Sequence, residues 1–295
     1  MAGAPAVETE DLSLRYGGTA ALDRVSLRLE ESGVYGLLGR NGAGKSSLLA
    51  LLAGYLRPSG GTVRVGGEPV FDNRAATSRI CLIRGSGETG GVTRVGDALG
   101  LAEAARPHWD GDYAAVLLDR FALAPRRRID ALSQGQLGAL GVALGLASRA
   151  PLTAFDETHL RMDAPSRHLF YRELLDDILR YPRTVILSTH LIEEAARVFE
   201  GLLILDQGRL VLHEDADRIR ERAFTVTGPE DRVARFADGG TLLHEKRLGG
   251  TAAATHFGEP DPTRADRARG DGLELSPVPL QDLFIHLTDP ARGAR

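Results

Sequence analysis

The sequence predicts an α/β fold organised around a parallel sheet, and three observations lead there. VYGLL (34–38), PLTAF (151–155) and TVILS (184–188) are short, almost uninterrupted apolar runs, the pattern of strands covered on both faces. A glycine-rich loop follows the first run and leads into SSLLALLAGYL (46–56), whose apolar residues recur at helical spacing, so strand, loop and helix form the first half of a βαβ unit. RHLFYRELLDDILR separates the other two runs and also reads as a helix.

The remaining elements follow along the chain. Leu12, Leu14 and Tyr16 alternate with polar residues, as do Val25, Leu27 and Leu29, so residues 1–30 read as β-strands. ESG (31–33) turns the chain into the first apolar run, and TVRV (62–65) and RICLI (79–83) are further strands. A helical stretch is expected from Val95 to Leu123, with Tyr113, Val116, Leu117 and Phe121 on one face. LSQGQ then opens a long apolar helix over 137–148. LLILD (202–206) and RLVLH (209–213) flank Gln-Gly and read as a hairpin. After Arg222 the composition changes: FTVT and TLLHE suggest short strands alternating with a helix. GEPDPTRADRARGDG (258–272) is polar and rich in Gly and Pro, which predicts a flexible loop. LQDLFIHLT (280–288) is amphipathic and reads as a terminal helix. The expected division is a main domain over 1–222, with a helical subdomain near 92–149, and an accessory region over 223–295.

Composition narrows the function classes. With 295 residues and 43% hydrophobic content there is ample material for a core. Lys+Arg number 36 against 40 Asp+Glu, a net charge of -4, so no global basic field points to nucleic acid. Lys45 and Lys246 are the only lysines, so Lys45 marks a position where arginine was not accepted. One cysteine, Cys81, excludes an internal disulfide and a multi-thiolate metal site, which fits a reducing compartment. MAGAPAVETEDL lacks a basic stretch followed by an apolar core, so no signal peptide is expected. The longest uncharged apolar run, LGALGVALGLAS (137–148), is too short to span a bilayer. The expected location is the cytoplasm, with any membrane spans provided by another chain.

The chemistry begins at GRNGAGKS (39–46), which matches G-x-x-x-x-G-K-[ST] between a strand and a helix. A chance match in a chain this long has a probability of about one per cent. The glycines let backbone N–H groups converge on phosphate oxygens, and the helix N-terminus adds its positive dipole end. Lys45 would neutralise the β- and γ-phosphates, and the Ser46 hydroxyl would ligate Mg²⁺. The second apolar run ends on two adjacent acids, Asp156 and Glu157. In phosphate-loop nucleotidases such a strand ends in a metal-holding acid. Asp156 would take that place, through the ion's hydration shell, and Glu157 would face a water in line with the γ-phosphate.

The order GRNGAGKSS, LSQGQ, LTAFDE, LRMD and LSTH resembles the nucleotide-binding subunit of ATP-binding cassette (ABC) transporters over about residues 7–220. LSQGQ is similar to the family signature LSGGQ, with Gln134 in place of the first glycine. The resemblance implies a P-loop NTPase core of the ABC cassette type, with an N-terminal antiparallel β subdomain, a helical signature subdomain and a small C-terminal α+β extension. It implies ATP and Mg²⁺ as cofactors. Gly39, Asn41, Gly42, Ala43, Gly44, Lys45, Ser46 and Ser47 would hold the phosphates, with Tyr16 stacked on adenine. Ser133, Gly135 and Gln136 would bind the γ-phosphate held by the opposite subunit, so that two copies sandwich ATP. Asp163 matches the acid of the loop crossing that dimer interface. Glu157 and His190 are the implied catalytic pair, with Ser46 and Asp156 at the metal. Of eight histidines only His190 receives a role; the rest, His159 beside the acids included, read as ordinary surface or core residues.

Three departures accompany the resemblance. The glutamine usual after the strand at 79–83 is missing from ICLIRGSGETGG, where Glu88 or Gly85 could take its place. Thr158 replaces the usual proline after the acids, and Ser47 a usual threonine. The five residues Lys45, Ser46, Asp156, Glu157 and His190 are all present, which implies an active ATPase. The implied partners are an integral membrane transporter subunit and a second ATP-binding subunit, identical or not, with the chain peripheral on the inner face of the cell membrane. CLIRGSGETGG, PHWDGDY, LASRAPLTAFDE and LQDLFIHLT look most like bacterial drug-export and antibiotic-immunity cassettes. The alternative is a soluble ABC-type ATPase acting on nucleic acid or ribosomes. The chain has a single phosphate loop, no coiled-coil insertion and no basic arm, so no nucleic-acid partner is expected.

Overall fold

In the computed structural model, which describes residues 6–85, 91–236, 240–259 and 261–289, the chain divides between His213 and Glu214 into two units. The first begins with β1 (Val7–Tyr16), β2 (Thr19–Leu29) and β3 (Gly33–Gly39), and α1 (Lys45–Leu52) follows. Next come β4 (Gly60–Val65), β5 (Glu68–Pro69), the single-turn α2 (Arg74–Thr77) and β6 (Ile80–Arg84). Helices α3 (Val95–Ala105), α4 (Gly111–Arg120) and α5 (Gln134–Ala147) follow, then β7 (Leu152–Asp156), α6 (Ala164–Arg180) and β8 (Thr184–Ser188). The short α7 (Ile192–Ala195), β9 (Gly201–Asp206) and β10 (Arg209–Asp215) complete the series.

These strands make two sheets. One is antiparallel, in the order β2-β1-β4-β5. The other has six strands, in the order β10-β9-β3-β8-β7-β6, with β9, β3, β8, β7 and β6 paired in parallel. The apolar runs are its middle strands: every residue of β7 and β8 is buried. Helix α1 is buried at Leu48, Leu49, Leu51 and Leu52, and one core joins it to Leu12, Leu22 and Leu29 of the antiparallel sheet and to Leu37, Ala154 and Ile186 of the parallel one. Gln207 and Gly208 take φ of 46° and 79°, the left-handed pair that a two-residue hairpin needs.

The helical stretch expected over 95–123 is two helices. The break falls at Arg106 and Pro107, because proline disfavours helical geometry in the residue before it and cannot donate a helical hydrogen bond. Asp110 then caps α4, accepting from the Tyr113 N–H at 2.9 Å. Leu117 and Phe121 are buried, while Val116 is 43% exposed and leaves the expected apolar face.

The second unit contains α8 (Ala216–Arg222), β11 (Ala223–Pro229), α9 (Glu230–Val233), β12 (Thr241–Leu248), β13 (Thr251–Phe257), α10 (Arg264–Gly270), β14 (Glu274–Pro277) and α11 (Leu280–Leu287). Its antiparallel sheet runs β12-β13-β11-β14. With α9 and α10 this is the β-α-β-β-α-β ferredoxin-like arrangement. Phe224, Val226, Val233, Phe236, Ala252, Ala254, Ala268 and Leu273 form its core. The stretch expected to be a loop over 258–272 carries α10. Arg264 is 6% exposed, its guanidinium 3.9 Å from the centre of the Phe224 ring, and Ala268 one turn later is 1% exposed. A buried arginine stacked on an aromatic ring is the reason the polar composition concealed a helix face.

Away from these cores, Asp177 of α6 is 4% exposed and receives Arg149 on one oxygen and Arg183, at 2.5 Å, on the other. Arg149 also lies over the rings of Tyr181, at 3.6 Å, and Tyr113, at 4.8 Å. Asp177→Ala would leave two largely buried guanidinium groups without this acid, and removing one partner of a buried pair costs about 3–5 kcal/mol. The expected outcome is a loss of that size in urea unfolding followed through Trp109, the single tryptophan; an unchanged midpoint would refute it.

Candidate nucleotide-binding site

The register of the parallel sheet places the site. Leu37 of β3 and Asp156 of β7 both pair with Ser188 of β8, and Arg84 of β6 pairs with Asp156. Four strands therefore end at one edge, where open α/β sheets bind ligands. The 39–46 loop leaves that edge and enters α1. Gly44 has φ 104°, and a Cβ there would stand 2.5 Å from the Ala21 carbonyl oxygen, so both conformation and space demand glycine. Lys45 opens α1 and is 6% exposed; its Nζ donates to the Gly39 carbonyl at 2.8 Å and the Arg40 carbonyl at 3.4 Å. The same Nζ lies 3.4 Å from Glu157 Oε1. Asn41, Gly42 and Ser46 are exposed around this loop, while Ala43 is buried.

Asp156 is the last residue of β7 and 7% exposed, and its Oδ1 has no hydrogen-bond partner among the described residues. Ser188 Oγ is equally buried and equally unpartnered. Buried polar atoms are seldom left so, and a carboxylate oxygen is the donor that Mg²⁺ selects; the donor set fits that ion. Glu157 takes φ 54°, a left-handed conformation costing a non-glycine residue about 1–3 kcal/mol. Its N–H donates to the Ser188 carbonyl at 3.2 Å. The turn ends the strand and brings the carboxylate to Lys45. A cleft of 680 Å³ opens here, lined by Tyr16, Ser46, Ser47, Asp156 and Glu157 together with Tyr55, Arg84, Gly85 and Arg161. Tyr16 is 53% exposed in it.

The other residues singled out by sequence lie elsewhere. Ser133 caps α5: its Oγ accepts from the Gln136 N–H at 3.2 Å, and the Gln136 side chain accepts from the Ser133 N–H at 3.0 Å. Gly135 is in the first turn. Asp163 caps α6, and hydrogen bonding with Ser166 holds its carboxyl below the ordinary range. None of these four lines the cleft. Helix α5 nevertheless packs close to the acids: a Cβ on Gly138 would meet the Thr158 carbonyl oxygen at 2.6 Å. Thr158 itself donates to the Ile83 carbonyl at 3.0 Å. His190 is exposed two residues beyond β8. Glu88 lies outside the described residues; Gly85 donates its N–H to the Asp156 carbonyl at 2.9 Å.

Sequence reasoning missed Tyr55, Arg84 and Arg161 on the cleft wall. Arg84 could have been flagged, since it sits where the missing glutamine was sought. It also assigned no role to His159, which is 0% exposed, with Nε2 3.0 Å from Thr189 Oγ1. Burial pushes its pKa down to about 3, helped by the charge of Arg167 and opposed by Glu194.

The ABC transporter family model matches residues 22–159. A Nod factor export ATP-binding protein I of Mesorhizobium japonicum is 30% identical over 312 residues, covering 96% of this chain and 86% of the relative. The chain belongs to the ABC transporter family. The daunorubicin/doxorubicin resistance ATP-binding protein of Streptomyces peucetius is 31% identical over 212 residues, covering 70% of this chain and 64% of the relative. Among solved structures, an ATP-binding subunit of an ABC transporter shares the fold with TM-score 0.65 at 24% identity, over 73% of this chain and 92% of that one. This ABC subunit binds ATP and is an ATPase. No helix among its described residues is long and apolar enough to cross a membrane.

His159 gives a pH dependence that can be checked. Its folded pKa lies below the free value of 6.5, so as pH falls the unfolded chain takes up a proton before the native one. The stabilisation is complete above pH 6.5 and is lost below it, by up to about 1.4 kcal/mol per pH unit. Urea unfolding at pH 7 and 5.5 should show a smaller acid loss for His159→Gln than for the parent; equal losses would refute this.

Proposed function

We propose that this ATPase dimerises around ATP and drives a separate membrane-spanning subunit that exports its substrate. The observation that carries the reading is the separation of the two predicted half-sites. Ser46, Asp156 and Glu157 line one cleft, with Lys45 Nζ 3.4 Å from Glu157, whereas Ser133, Gly135 and Asp163 lie outside it. A site assembled from the cleft of one copy and the α5 tip of another accounts for both groups. Lys45 binds the β- and γ-phosphates, and Tyr16 stacks on the base at the open rim. Asp156 and Ser46 would hold Mg²⁺, which when bound neutralises phosphate charge. Glu157 orients the attacking water and accepts its proton, with His190 at the γ-phosphate. In the second copy, the capped N-terminus of α5 presents Ser133 and backbone N–H groups to the same phosphate.

Each charge-assisted hydrogen bond contributes about 1.5–3 kcal/mol. Two nucleotides bridging a dimer would then bias it closed by several such bonds, and hydrolysis would remove the bias. Export is favoured by the relatives, a Nod factor export protein and a daunorubicin/doxorubicin resistance protein. The membrane subunit would hold the chain at the inner face of the cell membrane.

Two variants test this. Glu157→Gln should retain ATP, run as a dimer in size-exclusion chromatography with ATP, and release phosphate about 10²–10⁴-fold more slowly, the range for loss of a general base. Near-normal turnover would remove Glu157 from its role. Lys45→Ala should lose nucleotide retention in equilibrium dialysis; unchanged retention would sink the assignment of the phosphate loop.

A further inference from the structure

Glu157 and His190 sit on different segments, each just past the end of its strand, and their relative position depends on what ties those segments together. Three contacts do. The Glu157 N–H donates to the Ser188 carbonyl at 3.2 Å. At the exposed side, Arg167 grips Glu194 through two hydrogen bonds of 2.7 and 2.8 Å and donates to the Met162 carbonyl at 2.6 Å. Between them, inside the protein, His159 Nε2 lies 3.0 Å from Thr189 Oγ1, with these residues 0% and 1% exposed. Thr189 Oγ1 also accepts from the Leu191 N–H at 3.0 Å, so the hydroxyl fixes the backbone on both sides of His190.

Histidine is an expensive choice for this position if packing were its only task. Phe170 at 5.6 Å and Tyr171 at 5.7 Å surround the ring, and an apolar side chain would fill that space without a buried nitrogen. His159 Nδ1 has no hydrogen-bond partner among the described residues, and a group left so is destabilising. The hydrogen bond to Thr189 is what the imidazole provides that a phenyl ring could not. Screened from water, such a bond is stronger than at the surface.

We propose that His159, through Thr189, is a positioning residue that holds His190 in register with Glu157. The inference rests on the roles given to those two residues under the proposed function. The brace runs from the residue two after Glu157 to the residue before His190. If it opens, the water-orienting carboxylate and the γ-phosphate contact move independently, while the Lys45 loop that binds nucleotide is untouched. A displacement of about 1 Å can cost a hundred-fold in rate.

Steady-state ATP hydrolysis by the full chain tests it, with kcat and KM measured for His159→Phe, Thr189→Val, the double variant and His159→Gln. The expected result is a kcat roughly ten- to a hundred-fold lower in each single variant, with KM for ATP little changed. The double variant should be no slower than the slower single, since both break one bond. Glutamine places an amide near the Nε2 position and should recover most of the rate. If His159→Phe does not fold, Thr189→Val against Thr189→Ser carries the same comparison, the serine keeping the hydroxyl. Parent-like kcat in the single variants, additive losses in the double, or no rescue by glutamine would overturn the brace. Glu157→Gln measured alongside separates the two levels: a slow Glu157→Gln with fast brace variants defeats this inference alone, and a fast Glu157→Gln defeats the functional reading beneath it.

Discussion

Parallel pairing of β3, β8 and β7 in a single register is the constraint on which the site depends. It ends the three strands at a common edge and so fixes the chain path of the phosphate loop, the acid pair and the segment bearing His190. The Lys45–Glu157 contact across 3.4 Å then follows from backbone geometry, with two local devices to complete it. One is the left-handed glycine that lets α1 begin with its lysine facing the edge. The other is the left-handed glutamate that turns the chain out of β7. Glycine takes the first conformation readily, where the loop enters α1, whereas a glutamate takes the second reluctantly, where the chain leaves β7 for the cleft.

A second constraint comes from α5. The helix is buried along much of its length, and its glycines bring its axis close to the turn after the acids. Its N-terminus is closed by reciprocal hydrogen bonds between Ser133 and Gln136, and Gly138 and Gly145 set the helix against Thr158 and Phe155, the residues on either side of the acid pair. Gln134, the residue that departs from the signature pattern, bonds Arg161 on the cleft wall. In the proposed dimer the two half-sites of one chain would therefore be mechanically joined, although each would serve a different nucleotide.

Much of the first unit was legible because its signals are local and strong. Buried parallel strands read as apolar runs, and the phosphate loop has few accidental matches. The misreadings have physical causes. Pro107 splits a stretch whose flanks are both helical, and periodicity alone bridges the gap. In the second unit α10 meets the core through Ala268 and through Arg264 stacked on Phe224, so it resembles a loop in composition. β13 was missed because TAAATHF is rich in alanine, a weak strand former. Arg84 reaches the site because β6 pairs with the distant β7, whereas His159 and Arg161 follow the acids within four residues and only the folding of that turn shows which is buried and which lines the cleft.

The near-absence of lysine gives the fold an unusual chemical simplicity. Only two side-chain ammonium groups exist, one enclosed at the phosphate loop with 6% exposure and one on the open strand β12 of the other unit. A lysine-directed acylating reagent therefore meets one sheltered and one accessible target, on separate units. The contrast between them makes the chain its own internally referenced reporter of whether the loop is occupied.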